Sequence, residues 1–136
     1  MIIKLLPQQI PEYWETIKSS TSKSVSIDYG TLLHELLNEK IQCWVVFNES
    51  KSVQALALTR IEANKDTQKK QLHIISFISF ALSNNAIYEE GMKLLLDFAK
   101  KENCESIVSD IYNEDDRNII SRFGFREKYR IYERAL

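Results

Sequence analysis

The chain has 136 residues, 44% of them hydrophobic and 27% charged, and a formal net charge of −1. That length suits one domain, residues 1–136, able to bury a core without a metal or disulfide staple, and the near-neutral balance argues against a protein built wholly for nucleic acid. No apolar run approaches the roughly 20 residues that cross a bilayer, and the opening MIIKLLPQQIPEYW is too short and too polar for a secretory leader, so a cytoplasmic or particle-associated setting is expected rather than secretion.

Residues 2–6, IIKLL, read as a short strand ended by Pro7. Pro11 suits the first turn of a helix over 11–23, in which Tyr13, Trp14 and Ile17 keep helical spacing. The polar run SSTSKSVS, 19–26, is a connector. Asp28 is placed to cap a second helix running to about Lys40, with Leu32, Leu33, Leu36 and Leu37 as its apolar stripe and His34 off it. Three strands follow: 41–47, 53–61 and 72–80, separated by the turn NESKS and the polar loop EANKDTQKK. Those links predict two antiparallel hairpins, and LHIISFISF, apolar on both faces, reads as a central strand.

A long helix is predicted over 85–103, with Ile87, Gly91, Leu94, Leu95 and Phe98 turned to the core. Gly91 suits close packing against the sheet. A strand at 106–112 then makes a βαβ crossover, which places 72–80 and 106–112 side by side and parallel. A short helix over 114–123 begins with the acidic run Glu114-Asp115-Asp116, favoured at a helix N-terminus, and stops at Gly124. Residues 125–134 read as a closing strand that puts Arg126, Lys128, Arg130, Tyr132 and Arg134 on one face. The predicted class is α/β (α+β): a mixed sheet of about six strands with four helices, in the order β-α-α-β-β-β-α-β-α-β.

That order resembles the GNAT superfamily of N-acetyltransferases from end to end. The most specific local match is NEDDRNIISRFGF, where Asn113 is followed eleven and twelve positions later by Gly124 and Phe125. The resemblance implies a coenzyme site for acetyl-coenzyme A, whose pyrophosphate rests on backbone N–H groups at the start of the long helix under the pattern Gln/Arg-x-x-Gly-x-Gly/Ala. Here those places fall on Ser83, Ala86 and Tyr88, so the pattern is lost: no Arg or Gln is present, and Tyr88 stands where the phosphate would lie. The place where many members carry a proton-donating Tyr falls on Ile120. Asp116 stands where a small residue often lies beside the coenzyme. The strand 72–80 offers no carboxylate as a base, only His73.

Cys43 and Cys104 form no CxxC pair and no Cys/His cluster, so they read as buried reduced thiols and no metal is expected. Phosphate-loop, GxSxG and HExxH patterns are absent. Residues 117–136 hold six basic and two acidic side chains, whereas 89–116 hold nine acidic and three basic. The stripe Arg126, Lys128, Arg130 and Arg134 is therefore a candidate docking surface for an acidic protein partner, ahead of nucleic-acid phosphate. The layout is similar to small GNAT-like proteins encoded among the structural genes of tailed bacteriophages. It implies a non-catalytic, protein-binding role without a cofactor. The alternative is an N-acetyltransferase with a divergent loop, acetyl-coenzyme A as its cofactor and His73 as its base.

Overall fold

The computed structural model describes residues 1–21, 27–79, 85–111 and 114–136. Its elements run β1 (Ile2–Lys4), α1 (Ile10–Thr21), α2 (Tyr29–Leu37), β2 (Ile41–Phe47), β3 (Val53–Ala63), β4 (Lys70–Ser79), α3 (Asn85–Lys101), β5 (Ser106–Ser109) and α4 (Glu114–Ser121), with a 3-10 turn, Pro7–Gln9, leading into α1. The strands form one sheet in the order β1-β2-β3-β4-β5. The first four are antiparallel neighbours, and β4 and β5 are parallel, from Gln71 opposite Ser106 to Ile74 opposite Ser109. The expected crossover is therefore present, with α3 between the two parallel strands.

Local chemistry explains the boundaries. Asp28 caps α2 by accepting from the Thr31 N–H at 3.0 Å and the Thr31 hydroxyl at 2.7 Å. That helix ends at Leu37 rather than Lys40, because Glu39 takes a positive φ of 60° and turns the chain; Leu37 is consequently 42% exposed instead of joining the stripe. Asn64 organises the β3–β4 turn, its side chain accepting from the N–H groups of Asp66 and Thr67. Both strands extend further into the polar segment than its composition suggested. Gly124 ends the turn after α4 at φ 86°, as a C-cap glycine should.

The sheet carries a core on each face. Ile41, Cys43 and Val45 of β2 and Leu56 and Leu58 of β3 bury against Ile10 and Ile17 of α1 and Leu32 and Leu36 of α2. On the opposite face Trp44, Leu72 and Ile74 pack with Leu95 and Ala99 of α3. Trp44 donates its Nε1–H to Thr59 Oγ1 at 2.9 Å, and Thr59 donates to Gln42 Oε1 at 2.9 Å, so this buried polar chain is satisfied. Leu95 is buried as expected, whereas Phe98 is half-buried: its ring meets Trp44 at 5.3 Å on one side and lies under the Lys4 ammonium at 5.1 Å. Cys43 is buried; Cys104, just past the end of α3, is only half-buried, and both are free thiols.

One predicted element is absent. Residues 125–134 form no strand, and the sheet has five strands among the described residues rather than about six. Phe125 packs on the α3-side core, but residues 126–136 are exposed. The alternating pattern is a local property, whereas a strand needs a neighbour to pair its N–H and C=O groups. This chain gives the segment none. The Ser-rich connector beyond Thr21, the end of strand 72–80 at position 80, and Tyr112 lie outside the described residues.

Candidate functional site

β4 pairs with β5 only as far as Ile74 and Ser109, yet it continues to Ser79 along β3. The register of β3 with β4 shifts between Leu58 and Thr59, which face Ser76 and Ile74, so Ile75 is the extra residue of a bulge. A bulge reverses which side chains face which way. It turns Ser76 towards the α1–α2 side and Phe77 towards α3. Beyond it, β4 has no strand neighbour on the β5 side among the described residues, and the two parallel strands part.

The opening continues into a cleft of about 610 Å³ between the sheet, α3 and α4. Trp44, Ile74, Ile87 and Leu95 supply much of its apolar wall, and α4 contributes Ile119 and Ile120. Its charged lining residues, among those described, are Asp110 and Asp116. Residues 80–84, FALSN, and 112–113, Tyr-Asn, contain no cation either.

Several residues singled out in the sequence meet here. Tyr88, in the first turn of α3, lines the cleft and is half-buried, with its ring 5.7 Å from that of Phe77. Ile120 and Asp116 also line it. Ala86 is exposed beside them. Ser83 and Asn113 lie outside the described residues. Gly91 lines the cleft too, but a Cβ there would meet Ile2 Cδ1 at 3.7 Å, an ordinary contact, so the packing does not demand glycine. Arg126, Lys128, Arg130 and Arg134 are all exposed and lie away from the cleft lining, on the segment that forms no strand. Arg130 is paired with Glu127.

His73 sits on the α1–α2 side of β4, opposite Arg60 of β3 and Val108 of β5. Its Nε2 is 3.1 Å from Asp110 Oδ2, and its Nδ1 is 3.1 Å from Glu62 Oε1, close enough for an ion pair but outside hydrogen-bond geometry. The line continues through Glu62, which accepts from Gln71 Nε2 at 2.9 Å and lies 3.4 Å from Arg60 Nε. Desolvation works to raise the Glu62 carboxyl, but the Gln71 hydrogen bond with His73 and Arg60 outweighs it and holds the group below its ordinary value. Glu62 and Asp110 escape the sequence because Glu62 lies on β3 and Asp110 just past the end of β5. The β3–β4 register puts Glu62 two residues beyond Arg60 on the face of His73, whereas Asp110, past the last β4–β5 pair, is found only from its contact with His73. The described residues contain no cluster of His, Cys, Asp and Glu able to hold a metal ion, and no helix among them is long and apolar enough to cross a membrane.

Comparison with solved structures agrees on the architecture. A putative acetyl transferase from Pyrococcus furiosus superposes with a TM-score of 0.74 at 16% identity, over 100% of this chain and 99% of that one. A ribosomal-protein-alanine N-acetyltransferase from Brucella melitensis biovar Abortus gives 0.73 at 12% identity, over 100% and 99%. A GNAT family acetyltransferase from Staphylococcus aureus gives 0.68 at 12%, over 100% and 98%. No family model matches the sequence, and no curated protein does. The chain therefore has the GNAT fold, as its element order and parted parallel strands define it. At these identities the likeness concerns fold alone.

Proposed function

We propose that this chain is a GNAT-fold protein that works by binding another protein rather than by acetyl transfer, with a virion-associated or assembly role in a tailed bacteriophage. The observation that carries the first part is the cleft's lining. Acetyl-coenzyme A brings several negative charges, and the charged residues among the described lining of the cleft are two aspartates. Tyr88 rests on Phe77 in the turn of α3 where a phosphate needs small residues and open backbone N–H groups. Ile120 faces the cleft where a departing thiolate would need a proton donor. The described residues of the cleft do not fit this coenzyme. The phage setting, cytoplasmic before assembly, is supported by the layout: a substituted phosphate pattern beside a retained Gly124-Phe125 pair at the end of the short helix. The protein-binding role is supported by the exposed basic residues Arg126, Lys128, Arg130 and Arg134, of which Arg130 is paired with Glu127.

One observation favours the other reading, an N-acetyltransferase. The line Glu62–His73–Asp110 ends at a carboxylate that lines the cleft. A carboxylate backed by an imidazole is able to take a proton from an amine. Against that role, both ring nitrogens of His73 already face carboxylate oxygens, leaving no lone pair aimed at the cleft.

A thermal-shift measurement at millimolar acetyl-coenzyme A separates the two. A ligand present at a thousandfold its dissociation constant stabilises the folded state by about 4 kcal/mol. The binding-protein reading expects an unchanged melting temperature; a clear rise favours the enzyme. The particle role is tested separately, by whether the chain co-sediments with purified tailed particles.

A further inference from the structure

The cleft has a chemistry of its own. At about 610 Å³ it falls within the roughly 300–1,000 Å³ of clefts that take a ligand. Trp44, Ile74, Leu95 and Ile120 make its wall apolar, and its charged lining residues among those described, Asp110 and Asp116, are both acidic. Asp110 is held in place yet remains open to a ligand. Its Oδ2 lies 3.1 Å from His73 Nε2, and its side chain is still 50% exposed. Among the described residues nothing donates to its Oδ1. An apolar body can bury against this wall while a cation meets the carboxylate.

The cleft also opens along a strand. β4 pairs with β5 no further than Ile74, yet runs on against β3 to Ser79. Among the described residues no strand lies on its β5 side there. A peptide main chain laid along that stretch joins the sheet, as extended segments do when they add to a sheet edge. Alternate side chains of such a segment point to opposite faces. One set meets Trp44, Ile74 and Leu95 on the α3 side. The other turns towards Asp110, which is held by its contact with His73.

We infer that the cleft is a docking slot for an extended segment of a partner protein, with apolar residues on either side of an arginine whose guanidinium meets Asp110. A cation on an apolar stem suits this wall, because the stem buries while the head reaches the carboxylate. A guanidinium carries several N–H donors, so it reaches Oδ1 while His73 keeps Oδ2. The same two aspartates repel an acidic segment. The inference rests on the reading that this chain binds a protein, and gives that reading a surface distinct from the basic C-terminal residues.

The test is a heteronuclear NMR titration of the full chain with three probes: the blocked peptide acetyl-Val-Leu-Arg-Leu-Val-amide, its counterpart with glutamate in place of arginine, and hexylguanidinium as a free cation. The arginine peptide should give saturable shifts at 74–78, 109–111 and 116–120, and the glutamate peptide none. Asp110→Asn keeps the shape of the side chain and removes its charge, and should weaken binding about fivefold. Ile120→Trp fills the cleft and should abolish binding, while signals from the α1–α2 core stay those of the parent. No saturable shift at millimolar arginine peptide overturns the inference. So does equal binding of the glutamate peptide, or a constant unchanged by Asp110→Asn. Hexylguanidinium binding as tightly as the peptide also overturns it, and makes the cleft a site for a small apolar cation. The coenzyme measurement stays separate: lack of peptide binding with an unmoved melting temperature in acetyl-coenzyme A strikes the slot alone, whereas a rise in that temperature strikes the binding-protein reading.

Discussion

Leu95→Ala tests the packing that closes the cleft. Leu95 is 8% exposed and stands between Trp44, Leu72 and Ile74 on one side and the cleft on the other. Truncation removes three carbons, which at about 0.8 kcal/mol per CH₂ gives roughly 2.4 kcal/mol. A second contribution normally comes from the void left behind. Here much of that space joins a cleft of about 610 Å³ instead of becoming a sealed cavity, so this contribution is small. The expected cost is about 2–3 kcal/mol. Leu58→Ala is the comparison: Leu58 is fully buried in the α1–α2 core, away from the cleft, and its truncation should cost about 3–5 kcal/mol. Urea titrations of both variants, with unchanged slopes, supply the two numbers. A Leu95→Ala cost below about 1 kcal/mol, or one exceeding that of Leu58→Ala, would show that the α3 face or the cleft has been placed wrongly.

Thr59→Val should cost about 1–3 kcal/mol in the same titration, because it leaves the Trp44 N–H and the Gln42 carbonyl without a buried partner; a neutral result would mean that the two regain partners elsewhere. Gly124→Ala should cost about 1 kcal/mol from the backbone alone, since φ is 86° and a Cβ there meets nothing within 4 Å. Burial pushes the Cys43 thiol up to about 12, and desolvation also raises the half-buried Cys104, so a thiol reagent at neutral pH should modify Cys104 well before Cys43; equal rates would contradict the placement of β2. Glu62 is held below its ordinary value, so its contribution is present above the unfolded carboxylate pKa, near 4.3, and disappears as the pH falls through its lower folded value. Glu62→Gln should remove part of the acid-induced loss of stability, measured by urea unfolding at neutral and acidic pH, and an unaltered acid limb would contradict the contacts of Glu62 with Gln71, His73 and Arg60.

What the sequence disclosed was local, or followed from a rule of connection. Asp28 at a cap, Gly124 at a helix end and the spacing of Leu95 in α3 are set by near neighbours. A strand, a long helix and another strand dictate the parallel pairing of β4 with β5. What it hid depends on partners distant in the chain. Glu62 flanks His73 only once the β3–β4 register is known, and Asp110 only once the chain beyond β5 is placed. The bulge at Ile75, which sends Phe77 to meet Tyr88, adds nothing visible to the run LHIISFISF. Residues 125–134 have the alternation of a strand but not its neighbour, and periodicity cannot report that difference. Phe98 keeps the core spacing, yet lies at the margin where Lys4 covers it.

On the proposed function, the cleft between the parted strands should not take acetyl-coenzyme A. Calorimetric titration of the full chain with that coenzyme tests it most directly. Loss of one charge-assisted contact is worth roughly 1.5–3 kcal/mol, and two such losses weaken binding by about a hundredfold or more. The expected result is heats too small to fit, or a dissociation constant no tighter than high micromolar. A low-micromolar constant with one site per chain would contradict it and make the chain an acetyltransferase candidate.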